Sequence, residues 1–244
     1  VATERYQTIV WPWVSSAATV TTFLDARFNI ANKIMDGVAI VPMCSTHALI
    51  ITQLGTMNSK STLLLSSKLV SAAGPYKGND IEESIHNIAS QHAATRSLRL
   101  TDGASIAQYV TSTSSLDQFG GVALASLPYF NTVMPNLPVM DSKRGWTATE
   151  LEQLTTAGGA TIGNNPSATN IVLGEQVTTY LTDAGGNADP TFGFLNYVDT
   201  ASNAREYTYN NLRTRFAQSR LTNGNLTSGR DVANKVLIEG FLDK

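Results

Sequence analysis

Apolar residues along this chain fall into two rhythms, short unbroken runs and stripes at three- and four-residue spacing, and the two alternate. Tyr6-Gln-Thr-Ile-Val-Trp11 is a β-branched and aromatic run closed by Pro12, which cannot donate to a sheet ladder, so a strand is predicted to end there. Val20, Phe23, Leu24, Phe28, Ala31, Ile34 and Met35 then recur at helical spacing, with Ser15 or Ser16 as N-cap and Gly37 near the end. Val38-Ala-Ile-Val41, bounded by Gly37 and Pro42, reads as a strand buried on both faces. Strand, helix, strand in this order implies a right-handed crossover and a partly parallel sheet. Thr46 to Leu54 predicts a second helix and Thr62-Leu-Leu-Leu65 a third buried strand. Asp80 and Glu83, at capping-box spacing, precede a helix with Ile81, Ile85, Ile88 and Ala89 on one face.

The second half is less regular at first. Ala104 to Val110 and Leu116 to Leu127 can each be helical, while Pro128, Pro135 and Pro138 favour extended chain. In Trp146-Thr147-Ala-Thr-Glu150-Leu151, Thr147 and Glu150 can satisfy each other's exposed amides, and Trp146 and Leu151 occupy the two staple positions. A helix starts here and stops at Gly158-Gly159. The turn at Asn164 to Pro166 separates Ala160-Thr-Ile162 from Asn170-Ile-Val-Leu173 and Gln176-Val-Thr-Thr-Tyr-Leu181, a predicted hairpin or bulged strand pair. Ala184-Gly-Gly-Asn187 is a turn. A long helix from Phe192 to Leu221 turns Leu195, Val198, Ala201, Tyr209, Leu212 and Phe216 inward, with Arg205, Arg213, Arg215 and Arg220 around it, and a last helix spans roughly Asp231 to Leu242. The fold class is α/β (α+β): a mixed sheet, helices on both faces in two or three layers, and a β-hairpin extension. Residues 1–244 form one core region, any subdivision falling near 140.

Composition narrows the function. Hydrophobic residues make up 42% of the 244, enough for a packed core, whereas charged residues are only 15%, against roughly 25% in an average soluble domain. Ser, Thr, Asn and Gln fill the surface, which therefore desolvates cheaply against neighbours. The net charge of -2 and the absence of any Lys/Arg run argue against direct nucleic-acid binding. Cys44, the single cysteine, excludes an internal disulfide. Val38 to Cys44 is far shorter than the roughly 20 residues that span a bilayer, so no membrane insertion is expected. The chain opens on Val1 and stops on Lys244 within a predicted helix, as a trimmed fragment would.

Candidate chemistry is sparse. His47 follows Cys44 by three residues, half of a metal site at most, and His86 and His92, six apart, face different sides of another helix. Gly55-Thr-Met-Asn-Ser-Lys60-Ser61 resembles a phosphate loop but has Ser59 where the second glycine belongs, and it leads into a strand instead of a helix. Gly158 to Gly163 lacks dinucleotide-loop spacing, and no Gly-x-Ser-x-Gly elbow occurs. Glu82, Glu83, Glu150, Glu152 and Glu206 sit where capping or solvation explains them. Asn225-Leu-Thr227 is a sequon without a secretory context. No catalytic residue, cofactor or metal is predicted, and the chain reads as a non-enzyme.

One resemblance covers most of the chain. Lys143-Arg144-Gly-Trp-Thr147-Ala-Thr-Glu150, Leu154 and Ala157-Gly-Gly, the strand pair, Thr178-Thr-Tyr180-Leu-Thr182, Ala188-Asp-Pro190, Phe194-Leu-Asn196-Tyr-Val-Asp199-Thr200 and Tyr207 to Arg220 follow the order of features in Mu-like contractile phage tail sheath proteins. Tyr6 to Pro12 with its helix resembles that family's first core strand and helix, and Asn87 to Pro138 its middle part. Leu221 to Gly229 departs from the family's basic-aromatic stretch and turn. The resemblance implies a structural subunit stacked in hexameric rings as a helical sheath around a tail tube protein, joined to a baseplate, assembled in the bacterial cytoplasm and carried in the virion. It also implies contraction that drives the tube through the host envelope. The small C-terminal domain and the arms that add strands to neighbours are missing from this sequence, so a monomer is expected. Arg205, Arg213, Arg215 and Arg220 are the candidate inter-subunit contacts. The rival readings are the sheath of a pyocin or type VI secretion system and a small α/β hydrolase or transferase.

Overall fold

A computed structural model describes residues 7–27, 37–66, 84–101, 129–134, 137, 145–167, 169–202 and 204–205. All belong to the first of two compact units, Val1–Arg205; the second, Glu206–Lys244, lies outside the described residues. Also outside them are the proposed capping box at Asp80 and Glu83, the helices of 104–127, and everything predicted beyond Arg205.

The elements are β1 (Thr8–Val10), a 3-10 turn (Val14–Ser16), α1 (Ala17–Arg27), β2 (Val38–Met43), α2 (His47–Leu54), β3 (Thr62–Ser66), α3 (Ile85–Thr101), β4 (Val133–Met134), α4 (Ala148–Thr156), β5 (Gly159–Asn164) and β6 (Ile171–Leu173). A further helix, α5, begins at 195 and is followed to 205. The six strands form one mixed sheet in the order β1-β2-β3-β5-β6-β4. The first four run parallel; β5–β6 and β6–β4 are antiparallel, which makes the hairpin an extension of the sheet.

Strand alternation sorts the core onto two faces. Val38, Ile40, Leu63 and Leu65 join Ala160, Ile162, Ile171 and Leu173 beneath Ile88 and Ala89 of α3 and Leu195 and Val198 of α5. Ala39 and Val41 face the other way onto Ala17, Val20 and Leu24 of α1, and Leu64 meets Ile50 and Leu54 of α2 and Leu154 of α4. Helices therefore cover both faces in three layers, and the unbroken apolar runs of β2 and β3 are the signature of strands buried on both sides.

Several local expectations shift. β2 runs through Pro42 to Met43. Ala39 donates to Ser61 on the β3 side while Val38 donates to Gln7 on the β1 side, so the absent N–H of Pro42 falls on the β1 side. It lies beyond the last residue of that short strand, and no ladder bond is lost. Phe23, predicted to face inward, is 46% exposed, with the Arg27 guanidinium 5.1 Å from its ring centroid. Gln176 to Leu181 is not a strand; it carries one isolated bridge, Val177 to Phe194, and a second, Thr182 to Ala188, follows it. Its buried hydroxyls bond to loops: Thr178 Oγ1 donates to the Phe192 carbonyl at 2.6 Å and Thr179 Oγ1 to that of Ser59 at 3.1 Å. The α5 helix starts three residues later than predicted, because Phe194 is held by Val177.

Candidate functional site

The capped helix shows how faithfully sequence fixes local geometry. The Glu150 amide donates to Thr147 Oγ1 at 3.3 Å and the Thr147 amide donates to Glu150 Oε2 at 2.8 Å, the reciprocal bonds of a capping box. Trp146 packs with Leu154 and Ala157 on the α2 and β3 cluster. At the other end Gly158, at φ +85, takes a left-handed turn that leads directly into β5.

Features with chemical potential take structural roles here. Cys44 is exposed after β2. The His47 ring lies edge-on to Trp146 at 5.9 Å, and its Nε2 is buried without a hydrogen-bond partner. Among the described residues no three His, Cys, Asp or Glu are placed to share a metal, and no helix among them is long and apolar enough to cross a membrane. The Gly55 to Ser61 segment clasps a distant loop instead of cradling phosphate. Asn58 Oδ1 accepts from the amides of Leu181 at 2.9 Å and Thr182 at 3.2 Å, while its Nδ2 donates to the Thr182 carbonyl at 2.9 Å. The Ser59 amide donates to Thr179 Oγ1 at 3.1 Å, and Ser59 Oγ donates to Asp25 at 2.8 Å. Lys60 stands 5.0 Å over the Phe192 ring.

His86 is exposed and His92 buried, on different sides of α3 as their spacing requires. Beside His92 lies a polar network that inspection of the sequence missed. Arg96 donates through Nε at 3.2 Å and through a terminal nitrogen at 2.5 Å to Asp199 Oδ1, and through its other terminal nitrogen to the Gln7 carbonyl and, at 2.6 Å, to Thr8 Oγ1. Tyr129 donates to Asp199 Oδ2 at 2.6 Å and its ring stacks on His92 at 6.2 Å. Gln176 Nε2 donates to the carbonyls of Thr161 and Gly174 at 2.7 and 3.2 Å, which fixes the amide so that its Oε1 faces His92 Nε2 at 2.7 Å. His92 therefore carries its proton on Nε2, and its Nδ1 is buried without a partner. Burial, the largest influence, lowers the His92 pKa to about 4. A neutral ring and a buried carboxylate bonded to Arg96 and Tyr129 join α3, α5, β1 and the turn before β4. One signal was available: Asp199 sits on the apolar stripe of α5 with Leu195, Val198 and Ser202, where a lone acid requires a buried cation.

Two surface features remain. Phe194 and Tyr197 project from the start of α5 as an edge-to-face pair 5.3 Å apart. On the opposite layer an open groove of about 700 Å³ runs between α2 and α4, lined by His47, Ala48, Ile51, Glu152, Gln153, Thr156 and Ala157. Of the predicted contact residues, Arg205 closes the described part of α5 in a half-buried setting, while Arg213, Arg215 and Arg220 lie outside the described residues.

No protein-family model and no curated protein matches the sequence. Solved structures do. A sheath tail protein from Desulfitobacterium hafniense superposes with a TM-score of 0.55 at 11% identity, over 99% of this chain and 46% of its own. A sheath tail protein from Listeria innocua gives 0.55 at 10% identity, over 98% and 46%. The fold is that of sheath tail proteins. A chain of the anti-feeding prophage baseplate, solved with six-fold symmetry, follows at 0.51 and 12% identity, over 94% of this chain and 48% of its own. This chain thus spans about half the length of the structures it matches, and its likeness to them is one of architecture. The order of features from Lys143 onward led to the same fold, and the mixed sheet with helices on both faces agrees with it.

Proposed function

We propose that this chain is the core of a sheath subunit in a contractile tail, and that its work is done between copies of itself. The observation that carries the reading is the superposition of 98–99% of the chain on two sheath tail proteins. The intact protein stacks in hexameric rings as a helical sheath around a tube, is joined to a baseplate, assembles in the bacterial cytoplasm and travels in the virion. Triggering lets strained subunit contacts relax in a cooperative wave that shortens the sheath and drives the tube through the envelope, allowing genome ejection. No ligand energy is needed at that moment, because interfaces with two discrete packings switch between them. The sparse charge and abundant Ser, Thr and Asn suit polar interfaces that slide, and Arg205, Arg213, Arg215 and Arg220 are the residues proposed to meet neighbouring subunits. That the subunit is not an enzyme belongs to this reading. The baseplate match keeps a second setting in play, a contractile injection system other than a phage tail. Electron microscopy of the full-length protein expressed alone tests the proposal. Hollow tubes of tail width are expected, and a full-length protein that stays monomeric at high concentration refutes it.

A further inference from the structure

We infer that the aromatic pair Phe194 and Tyr197 seats in the groove between α2 and α4 of a second copy of this chain. The inference rests on the sheath-subunit reading and adds which surfaces meet. Phe194 is 37% and Tyr197 47% exposed, yet both are held in place. Their rings brace each other edge to face, Phe194 bridges Val177, the Tyr197 amide donates to the Phe194 carbonyl at 3.0 Å, and the Leu195 amide donates to that of Gln176 at 2.9 Å. Exposed aromatics ordered in advance lose little freedom on docking, the property that makes them interface anchors.

The groove offers the complement. Ala48, Ile51 and Ala157 give this open groove of about 700 Å³ apolar walls. Its charge is acidic: α2 bears no Asp, Glu, Lys or Arg, α4 bears Glu150 and Glu152 with no basic residue, and Glu152 stands on the lip. Along α5 the aromatic positions continue at helical spacing through Ala201 to Arg205, so a positive charge follows the pair on one face. Laid into the groove, the aromatics take the walls and Arg205 comes to the Glu152 side. Complementary charge of this kind fixes orientation and register. Knob and groove lie on different surfaces of one unit, which allows a head-to-tail contact. Each copy presents one of each, and repetition closes a ring or winds a helix. Two aromatics cover far less than the roughly 800 Å² per partner of a stable interface, so a single contact is weak and gains strength from the array.

The test replaces Tyr197 with p-benzoylphenylalanine, which keeps an aromatic ring, in a mixture of ¹⁴N- and ¹⁵N-labelled chains irradiated over a concentration series. Mixed-isotope cross-links to residues 47–51 or 152–157 are expected, with a covalent ladder extending past the dimer, and Glu152→Lys is expected to lower their yield roughly five-fold. Mixed-isotope cross-links that map elsewhere, including back to 194–197, overturn the groove and leave self-assembly standing. Absence of any mixed-isotope product up to millimolar chain overturns the groove alone, because the subunit reading is decided by tube formation of the full-length protein. A yield untouched by Glu152→Lys overturns the charged lip.

Discussion

Mild acid should loosen this protein through a single ring. His92 is fully buried, and burial lowers its pKa from 6.5 to about 4, outweighing the Gln176 hydrogen bond; Arg96 adds to the lowering and Asp199 opposes it. In the unfolded chain the imidazole titrates at its ordinary value, so between pH 6.5 and 4 the unfolded state binds a proton that the native state refuses. Stability from this group is therefore complete above pH 6.5, declines as pH falls toward 4, and is level below that. At about 1.36 kcal/mol per pKa unit the full effect is roughly 3 kcal/mol, of which about 2 kcal/mol is lost by pH 5. That is a large share of a typical stability of about 5–15 kcal/mol. Urea titrations at pH 7.5 and pH 5 on the wild type and on His92→Gln isolate the term, since glutamine keeps a donor for Gln176 but has no proton to gain. The wild type should lose about 2 kcal/mol more than the variant between the two conditions. Equal losses in the two proteins would refute the assignment of a neutral, buried His92.

Three further outcomes follow from the packing. Asp199→Ala leaves the Arg96 guanidinium buried without its carboxylate and should destabilise by about 3–5 kcal/mol, whereas the double variant Arg96→Met with Asp199→Leu should recover most of that loss; urea midpoints decide. Thr147→Ala removes the acceptor for the Glu150 amide and should cost about 1 kcal/mol, read as a lower melting temperature, while Thr147→Ser should stay near wild type. Gly158→Ala places a Cβ at φ +85, 3.1 Å from the Thr178 carbonyl oxygen, and should cost about 1–2 kcal/mol or more in chemical denaturation.

The parts of the fold legible in the sequence are those whose physics is local. The Thr147 and Glu150 reciprocity, the runs Val38 to Val41 and Thr62 to Leu65, and the turn between β5 and β6 each depend on neighbours a few residues away. Gln176 to Leu181 misled because a β-branched run also suits a buried loop that hands successive residues to separate partners: Thr178 to Phe192, Thr179 to Ser59 and Thr62. Phe23 misled because helical spacing cannot say where a hydrophobic stripe ends. The Arg96 and Asp199 pair was hidden for another reason. Its members are 103 positions apart, and only the sheet order brings α3 beside α5. The Phe194 and Tyr197 pair lies within the family-like segment at helical spacing, and spacing alone does not reveal which aromatics stay outside.

The pairing of β3 with β5 sets Leu64 opposite Gly159, and this has a bearing on how the chain is made. β1, β2 and β3 can associate as soon as they are synthesised, and β5 with β6 can close as a hairpin, but the seam between these halves waits until the ribosome has passed residue 159. Until then Leu63, Leu64 and Leu65 form an open, greasy border, the kind of edge that recruits strands from the wrong molecule.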